Sequence, residues 1–288
     1  MAGREDSRSV GEVMEAQEKY DVCTRALGDY ARNAGFTDVL LGLSGGIDSG
    51  LVAAMCADAF GSDHVHACLL PGPYSSDHSI ADAREEAETL GVQAEVISIE
   101  GPYEAFASLL APFCDDEFAG MASQNTQARC RMVCLMALSN HHGWMLVNTG
   151  NKSEAMMGYS TLYGDTAGAF APIGGLYKTD VYALARARNA QAVSAGRKPP
   201  IPENMLSKPP SAELAPGQQD ETALGIDYAT LDQILIGHFE QGLSAAELAE
   251  GPLAGQRTQK EIADVLVRAE RQAFKRAVEP PYPQVRFY

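Results

Sequence analysis

Short apolar runs that alternate with stretches of helical length constrain this chain more than any other feature it has. The runs cover residues 38–43, 64–70, 92–99 and 144–149, and helical patterns fill 48–61, 77–90 and 125–141 between them. Strands joined by helices of this length make βαβ units and a parallel sheet. Right-handed crossovers then put helices on both faces. The expected fold class is α/β, a doubly wound, mostly parallel, Rossmann-like sheet with a helical C-terminal extension. The expected organisation is a single domain over 1–288, with an N-terminal helix at about 11–33, an α/β core at 36–190, a loop region at 191–226 and helices at 227–276.

The pattern changes after Gly150. Residues 158–176 are rich in Gly, Ala and Tyr, and 198–217 hold six prolines without a helical period. Ordered loops of that length are usually functional. Helices are expected again at 227–241, 244–249 and 256–276, the last with Ile262, Val265, Leu266, Ala269 and Ala273 at helical spacing.

Composition excludes several classes. The 288 residues carry 22 Lys and Arg against 38 Asp and Glu, a net charge of −16. A broad nucleic-acid footprint needs a basic face, so nucleic acid is not an expected partner. A small anionic ligand held by a few local cations is compatible with the charge. No run approaches the roughly 18 apolar residues of a spanning helix. The polar N-terminal stretch lacks a signal-peptide core, so a cytoplasmic protein with no membrane partner is expected. None of the six cysteines forms a C-x-x-C pair. They read as small buried hydrophobes in a reducing compartment. Cys130 and Cys134 with His141 and His142 do not make a zinc spacing.

The sharpest local signal is Gly42-Leu43-Ser44-Gly45-Gly46-Ile47-Asp48-Ser49, between the first strand and its helix. Adjacent glycines permit a tight turn with positive φ. Such a turn aims several N–H groups at one spot, and the helix behind adds its positive end, so the loop is a nest for phosphate. Ser44 and Ser49 add hydroxyls. Asp48 would repel a bare phosphate and suits a divalent cation lying between them, as Mg²⁺ binds carboxylates and phosphate oxygens together. Asp48 also reads as an ordinary first-turn carboxylate.

In an open α/β sheet the ligand crevice lies beyond the carboxyl ends of the strands. The fourth run leads into Thr149 and Glu154, which therefore face the crevice of the glycine loop. Glu154 completes a cation site with Asp48, or merely begins a helix. Lys178 opens a helix over 179–188, where the dipole disfavours a cation by about 0.3–1 kcal/mol; bound phosphate would reverse that sign, and a solvated lysine is the plain alternative.

The loop resembles the SGG-x-D-S signature of the N-type ATP pyrophosphatases, which grip the pyrophosphate end of ATP and adenylate a substrate. With NTGNKSEAMMGYSTLYGDTAGAFAPIGGLYKTDVYALAR and PENMLSKPPSAELAPGQQDETALGIDY, the chain closely resembles NAD synthetase from about Tyr20 to Arg276. The resemblance implies an adenine nucleotide hydrolase-like sheet, a homodimer with the dinucleotide site at its interface, and NAD formation from deamido-NAD, ATP and ammonia. It implies ATP contacts from Gly42, Leu43, Ser44, Gly45, Gly46, Ile47, Asp48 and Ser49, and from Thr149, Lys178 and Ser211. Asp48 and Glu154 would hold Mg²⁺; Asp48, Lys178 and Ser44 would be catalytic. Asn125, Arg129, Glu154 and Lys275 would meet deamido-NAD. Asn125 and Arg129 are four apart on one helix face, and 257–276 hold six basic and three acidic residues. Compact ammonia-dependent members carry a Lys and an Asp where this sequence has Leu162 and Ala169. The wording is closer to the synthetase half of the glutamine-dependent form, and no room for its amidase is expected. Ammonia would come free or from a separate amidase chain. The loop at 158–175 would exclude water from the adenylate. Rival readings are another adenylating pyrophosphatase of the same group and a non-catalytic adenine-nucleotide sensor; a sensor needs no Asp48 and Glu154 together.

Overall fold

The computed structural model describes residues 14–115 and 117–288. The elements run α1 (Ala16–Asn33), β1 (Val39–Gly42), α2 (Ile47–Phe60), β2 (Val65–Leu69), α3 (Asp77–Leu90), β3 (Gln93–Val96), α4 (Glu100–Leu110), α5 (Gly120–His142) and β4 (Met145–Leu146). There follow α6 (Lys152–Met157), α7 (Lys178–Ser194), α8 (Glu203–Ser207), α9 (Asp220–Leu224), α10 (Tyr228–Leu235), α11 (Ala245–Glu250), α12 (Gln259–Arg271) and α13 (Ala273–Arg276).

The four strands form one parallel sheet in the order β3-β2-β1-β4. Val39 pairs with Val65 on one side and Met145 on the other. Side chains alternate between faces, so Val39 and Leu41 join α1, α2 and α7 in one core, while Leu40 joins Cys68, Ile99, Cys130 and Leu146 in another. Helix α2 is buried on nearly every side because its sequence is Ala, Val, Leu and Met all round. A third core gathers α6, α10 and α12 around Leu231, Ile234 and Ile262. No helix among the described residues is long and apolar enough to cross a membrane.

The sequence reading locates the four strands and most helices. Of its N-terminal helix, residues 11–13 lie outside the described residues, and the rest starts at Ala16. Other boundaries are corrected. Helix α4 was not expected; Gly101-Pro102 in its first turn reads as a break, and none of its side chains is fully buried, although Tyr103 packs against the Leu40 core. The loop region at 191–226 contains the end of α7 and the short helices α8 and α9. The final helix starts late because Thr258 and Glu261 make a capping box, and it breaks at Gln272, leaving Ala273 exposed. Strand β4 is shorter than 144–149 because Asn148 turns aside to pair its N–H with Phe170 O.

Helix α3 packs on α2 with an unusual residue between them. Glu86 is fully buried, and both its carboxyl oxygens lack a hydrogen-bond partner. Gly50 makes the room: a Cβ there would lie 2.8 Å from Glu86 Oε2. Burial first, and the nearby Asp82 second, push this carboxyl well above the ordinary range. The unfolded side chain ionises above about pH 4.3. The folded one stays protonated, so stability falls as pH rises from there until the folded group ionises. We expect Glu86→Met to flatten that decline and to gain roughly 1–3 kcal/mol at pH 8, the usual cost of an unpaired buried polar group. Thermal melts of both proteins from pH 4 to pH 9 check this; parallel curves would refute it.

Candidate active site

The strand order reverses at β1, and the crevice opens beyond the carboxyl ends of β1 and β4. It is a cavity of about 630 Å³, within the size range of small-ligand sites. Gly42, Leu43, Ser44, Gly46, Ile47, Asp48 and Ser49 line it from the first turn, with Thr149 and Glu154 after β4, Lys178 from α7 and Ser211 from the proline-rich segment. The residue pattern and the family resemblance together assign all of these to one site, Ser211 through the resemblance alone, and the fold brings them together. Gly45 does not line the cavity. It has φ +81°, and a Cβ on it would overlap the carbonyl oxygen of Ser79, so its role is to let the loop close against α3.

Hydroxyls hold the turn in shape. Ser49 Oγ accepts from Ser44 N (3.1 Å), donates to Gly46 O (3.0 Å) and lies 3.0 Å from Ser44 Oγ. Ser44 Oγ also accepts from Gly46 N at 3.2 Å. The serines thus shape the backbone as well as facing the cavity. The first-turn amides of α2 lack intrahelical partners by the geometry of a helix start, and they open onto this space.

Beside the loop lies a charged cluster. Lys178 Nζ is 2.5 Å from Asp48 Oδ2 and 3.1 Å from Glu154 Oε1. Its side chain is 2% exposed, while those of Asp48 and Glu154 are 17% and 19% exposed and reach the cavity. Asn151 caps α6 through Glu154 N (3.0 Å) and donates to Asp48 Oδ1 (2.7 Å), tying the two acids together. Burial lifts Glu154 to about 8 against the pull of Lys178. Burial alone would lower the Lys178 ammonium, but Asp48 and Glu154 outweigh it and hold it well above its ordinary value.

The helix-start argument for Lys178 is therefore met by carboxylates. Asp232 accepts from Thr179 N (2.8 Å) and from Ser153 Oγ (2.6 Å), and Ser153 Oγ in turn accepts from Lys178 N (2.8 Å). An anion at the first turn of α7 offsets the dipole that opposes the lysine. Burial raises Asp232 to about 6. Among the described residues, no group of three or more His, Cys, Asp or Glu has metal-holding geometry. The donor set for a divalent cation is the carboxylate pair alone, with phosphate oxygens left to complete it; that is the set Mg²⁺ ordinarily uses with nucleotides.

Asn125, Arg129 and Lys275 go elsewhere. None of them lines this cavity. Thr161 Oγ1 donates to Asn125 Oδ1 (2.8 Å), Arg129 Nε to Leu162 O (3.1 Å), and Lys275 Nζ to Gly158 O (2.7 Å) and Ser160 O (2.6 Å). All three hold one loop, the stretch expected to act as a lid. Asn148 grips the same loop from inside through Asp165 O (2.7 Å) and Ala167 O (2.9 Å).

Sequence reasoning passes over several cavity groups. Asp165 lines the cavity, accepts from Thr161 N at 2.6 Å, and is raised to about 6 by burial. Asp220 lines it too, and burial raises it. Arg131 reaches in from α5 with Nε on Leu70 O at 2.9 Å. Only Asn151 had a legible signal, an Asn three residues ahead of Glu154 at a helix start.

Comparison with known proteins bears on this site. The family model described as NAD synthase matches residues 19–279. The glutamine-dependent NAD(+) synthetase of Thermotoga maritima is 41% identical over 260 residues, covering 90% of this chain and 44% of the relative. Among solved structures, NMN synthetase from Francisella tularensis aligns with a TM-score of 0.72 at 28% identity, covering 90% of this chain and 96% of that one. The NH3-dependent NAD synthetase from Campylobacter jejuni, in complex with nitrate, aligns with a TM-score of 0.70 at 29% identity, covering 91% and 96%. The chain spans less than half the length of the curated relatives it matches.

Proposed function

The chain belongs to the NAD synthase family, and from that premise we propose that it is a cytoplasmic ligase that amidates deamido-NAD to NAD, consuming ATP and ammonia and releasing AMP and pyrophosphate. The observation that carries this reading is the glycine turn and, beside it in one cavity, the Asp48–Lys178–Glu154 cluster. A site that only sensed adenine nucleotides would have no use for two cation-holding acids beside the phosphate nest.

In the first step the nicotinate carboxylate attacks the α-phosphorus of ATP. The amides behind Gly46 and the hydroxyls of Ser44 and Ser49 hold the departing pyrophosphate, and Lys178 balances its charge. Asp48 and Glu154 would hold Mg²⁺, whose chemistry there is neutralisation of the phosphate charge. Fixed donors of this kind are often the largest catalytic contribution. In the second step ammonia attacks the mixed anhydride and AMP leaves. Asp165, which lines the same cavity, is the carboxylate placed to take the amine's proton. The clasped loop at 158–166 keeps water from the adenylate.

A homodimer is part of the reading. Large apolar side chains stand exposed on α4, α5 and the turn after α4, among them Leu109 (64%), Phe113 (83%), Met121 (76%) and Val133 (66%). Patches of this kind mark interaction surfaces. Arg129 is exposed one turn from Val133 on the same face, so a dinucleotide held between two copies would meet it.

The test supplies purified protein with ATP, Mg²⁺ and deamido-NAD, and adds either ammonium or glutamine. We expect NAD and pyrophosphate with ammonium and neither above background with glutamine, from a protein that elutes as a dimer. Turnover of nicotinate mononucleotide in place of deamido-NAD would instead favour the chemistry for which the Francisella tularensis neighbour is named.

A further inference from the structure

The two carboxylates assigned to the divalent cation already share a cation, and it belongs to the chain. Lys178 Nζ lies between Asp48 Oδ2 at 2.5 Å and Glu154 Oε1 at 3.1 Å. The face of Tyr228 lies beside it, with the ring centre 5.2 Å away, and the buried Asp220 adds a third negative group whose field also favours the ammonium. Asn151 holds the second oxygen of Asp48 at 2.7 Å. Both acids are thereby oriented towards one point. A hard cation with oxygen ligands at about 2.0–2.1 Å would fall close to the place the ammonium fills. Two like charges at that separation repel strongly, so the lysine and the metal compete for it.

We propose that Lys178 is a resident substitute for the metal: its ammonium fills the cation position in the nucleotide-free protein and yields it only when phosphate oxygens enter the cavity to receive the ammonium. The proposal rests on the reading above, in which Asp48 and Glu154 take Mg²⁺. The exchange needs little movement of the backbone. Lys178 N is fixed on Ser153 Oγ at 2.8 Å, and Thr179 N on Asp232 at 2.8 Å. Only the side chain has to swing from carboxylate to phosphate. Charge stays matched on both sides of the exchange: ammonium on carboxylates before it, ammonium on phosphate and metal on carboxylates after it. Metal and nucleotide then bind as one unit, and by linkage each raises the other's affinity by the same factor.

The test uses Mn²⁺ as the probe, counted by electron paramagnetic resonance of the free ion over the full-length chain. Without nucleotide, the wild-type protein should hold no tight Mn²⁺. Lys178→Met should acquire one site per chain, tighter than wild type by roughly 5–150-fold, the usual range of coupling between sites. The double variant Asp48→Asn/Lys178→Met should lose it. Lys178→Gln, of similar length and neutral, serves if the Met variant does not fold. With α,β-methylene ATP, which cannot be cleaved between its α and β phosphates, wild type should retain Mn²⁺ beyond what the analogue binds without protein, and Asp48→Asn should not. Nucleotide-free wild type that binds Mn²⁺ as tightly as the Lys178 variants would overturn the substitute role and leave the metal assignment standing. Lys178 variants that gain no site would do the same. Retention of Mn²⁺ by Asp48→Asn with the analogue would overturn the metal assignment itself.

Discussion

On the proposed function, Asp48→Ala should lower the rate of adenylation by a factor on the order of 10²–10³ or more, the range seen when one preorganised charge-stabilising group is removed, while the protein stays folded and elutes as the wild type does. The reasoning starts from where Asp48 sits. It is the second residue of α2, its carboxylate reaches the cavity, and it meets both Lys178 and Asn151. Removing it takes away half of the carboxylate pair and leaves the Lys178 ammonium with Glu154 as its remaining carboxylate at 3.1 Å. In the proposed mechanism the loss falls on the step in which charge builds on the departing pyrophosphate. Because α2 is packed through Leu51, Val52, Met55 and Cys56 rather than through Asp48, the core is untouched. Pyrophosphate release in the presence of deamido-NAD, with circular dichroism and a sizing column alongside, checks both halves. Near-normal release would remove Asp48 from the chemistry.

Gly45→Ala should be more damaging than its single added methyl suggests. At φ +81° an L-residue pays about 1–2 kcal/mol in backbone strain. The larger effect is steric. The new Cβ would overlap the carbonyl of Ser79, in the first turn of α3, and that backbone is held by the Ser76 cap. Neither the turn nor α3 gives way easily, so the turn has to move off its position over the cavity. We expect ATP affinity to drop by at least about 10²-fold, since each 1.4 kcal/mol is tenfold, with a lower melting temperature as well. Gly46→Ala is the control: its φ is negative and its nearest neighbour is the movable Ser44 hydroxyl at 3.3 Å. Equal loss in the two variants would show that the clash with Ser79 is not what matters.

What could be read from the residues, and what could not, follows from how local each signal is. The central strands were legible because buried parallel strands are continuous apolar runs, as in Val39–Gly42; the edge strand Gln93–Val96 is exposed throughout and showed only through its flanking Val92, Ile97 and Ile99. The glycine turn was legible because two adjacent glycines between a strand and a helix mark a tight turn, although the contact that demands Gly45, the Ser79 carbonyl, is distant in sequence. Asp48, Glu154 and Lys178 were each visible at a helix start, but nothing local revealed that the lysine would sit on both acids. Asp165, Asp220 and Asp232 were invisible for the same reason: each acquires its role from segments distant in sequence, and an isolated aspartate carries no mark of future burial. Helix α4 escaped although Tyr103, Phe106, Ala107 and Leu110 stand at helical spacing, because Gly101-Pro102 in its first turn reads as a break. Asn125, Arg129 and Lys275 were assigned by resemblance to a dinucleotide, and within one chain they bind a loop.

That last arrangement carries a consequence for anyone exchanging parts between relatives. Residues 158–162 are stitched to two helices through Asn125, Arg129 and Lys275, none of them nearby in sequence. A graft of this loop alone would arrive without its moorings. The transferable module is the segment together with its three distant fasteners, and a chimera that moves one without the others changes two variables while seeming to change one.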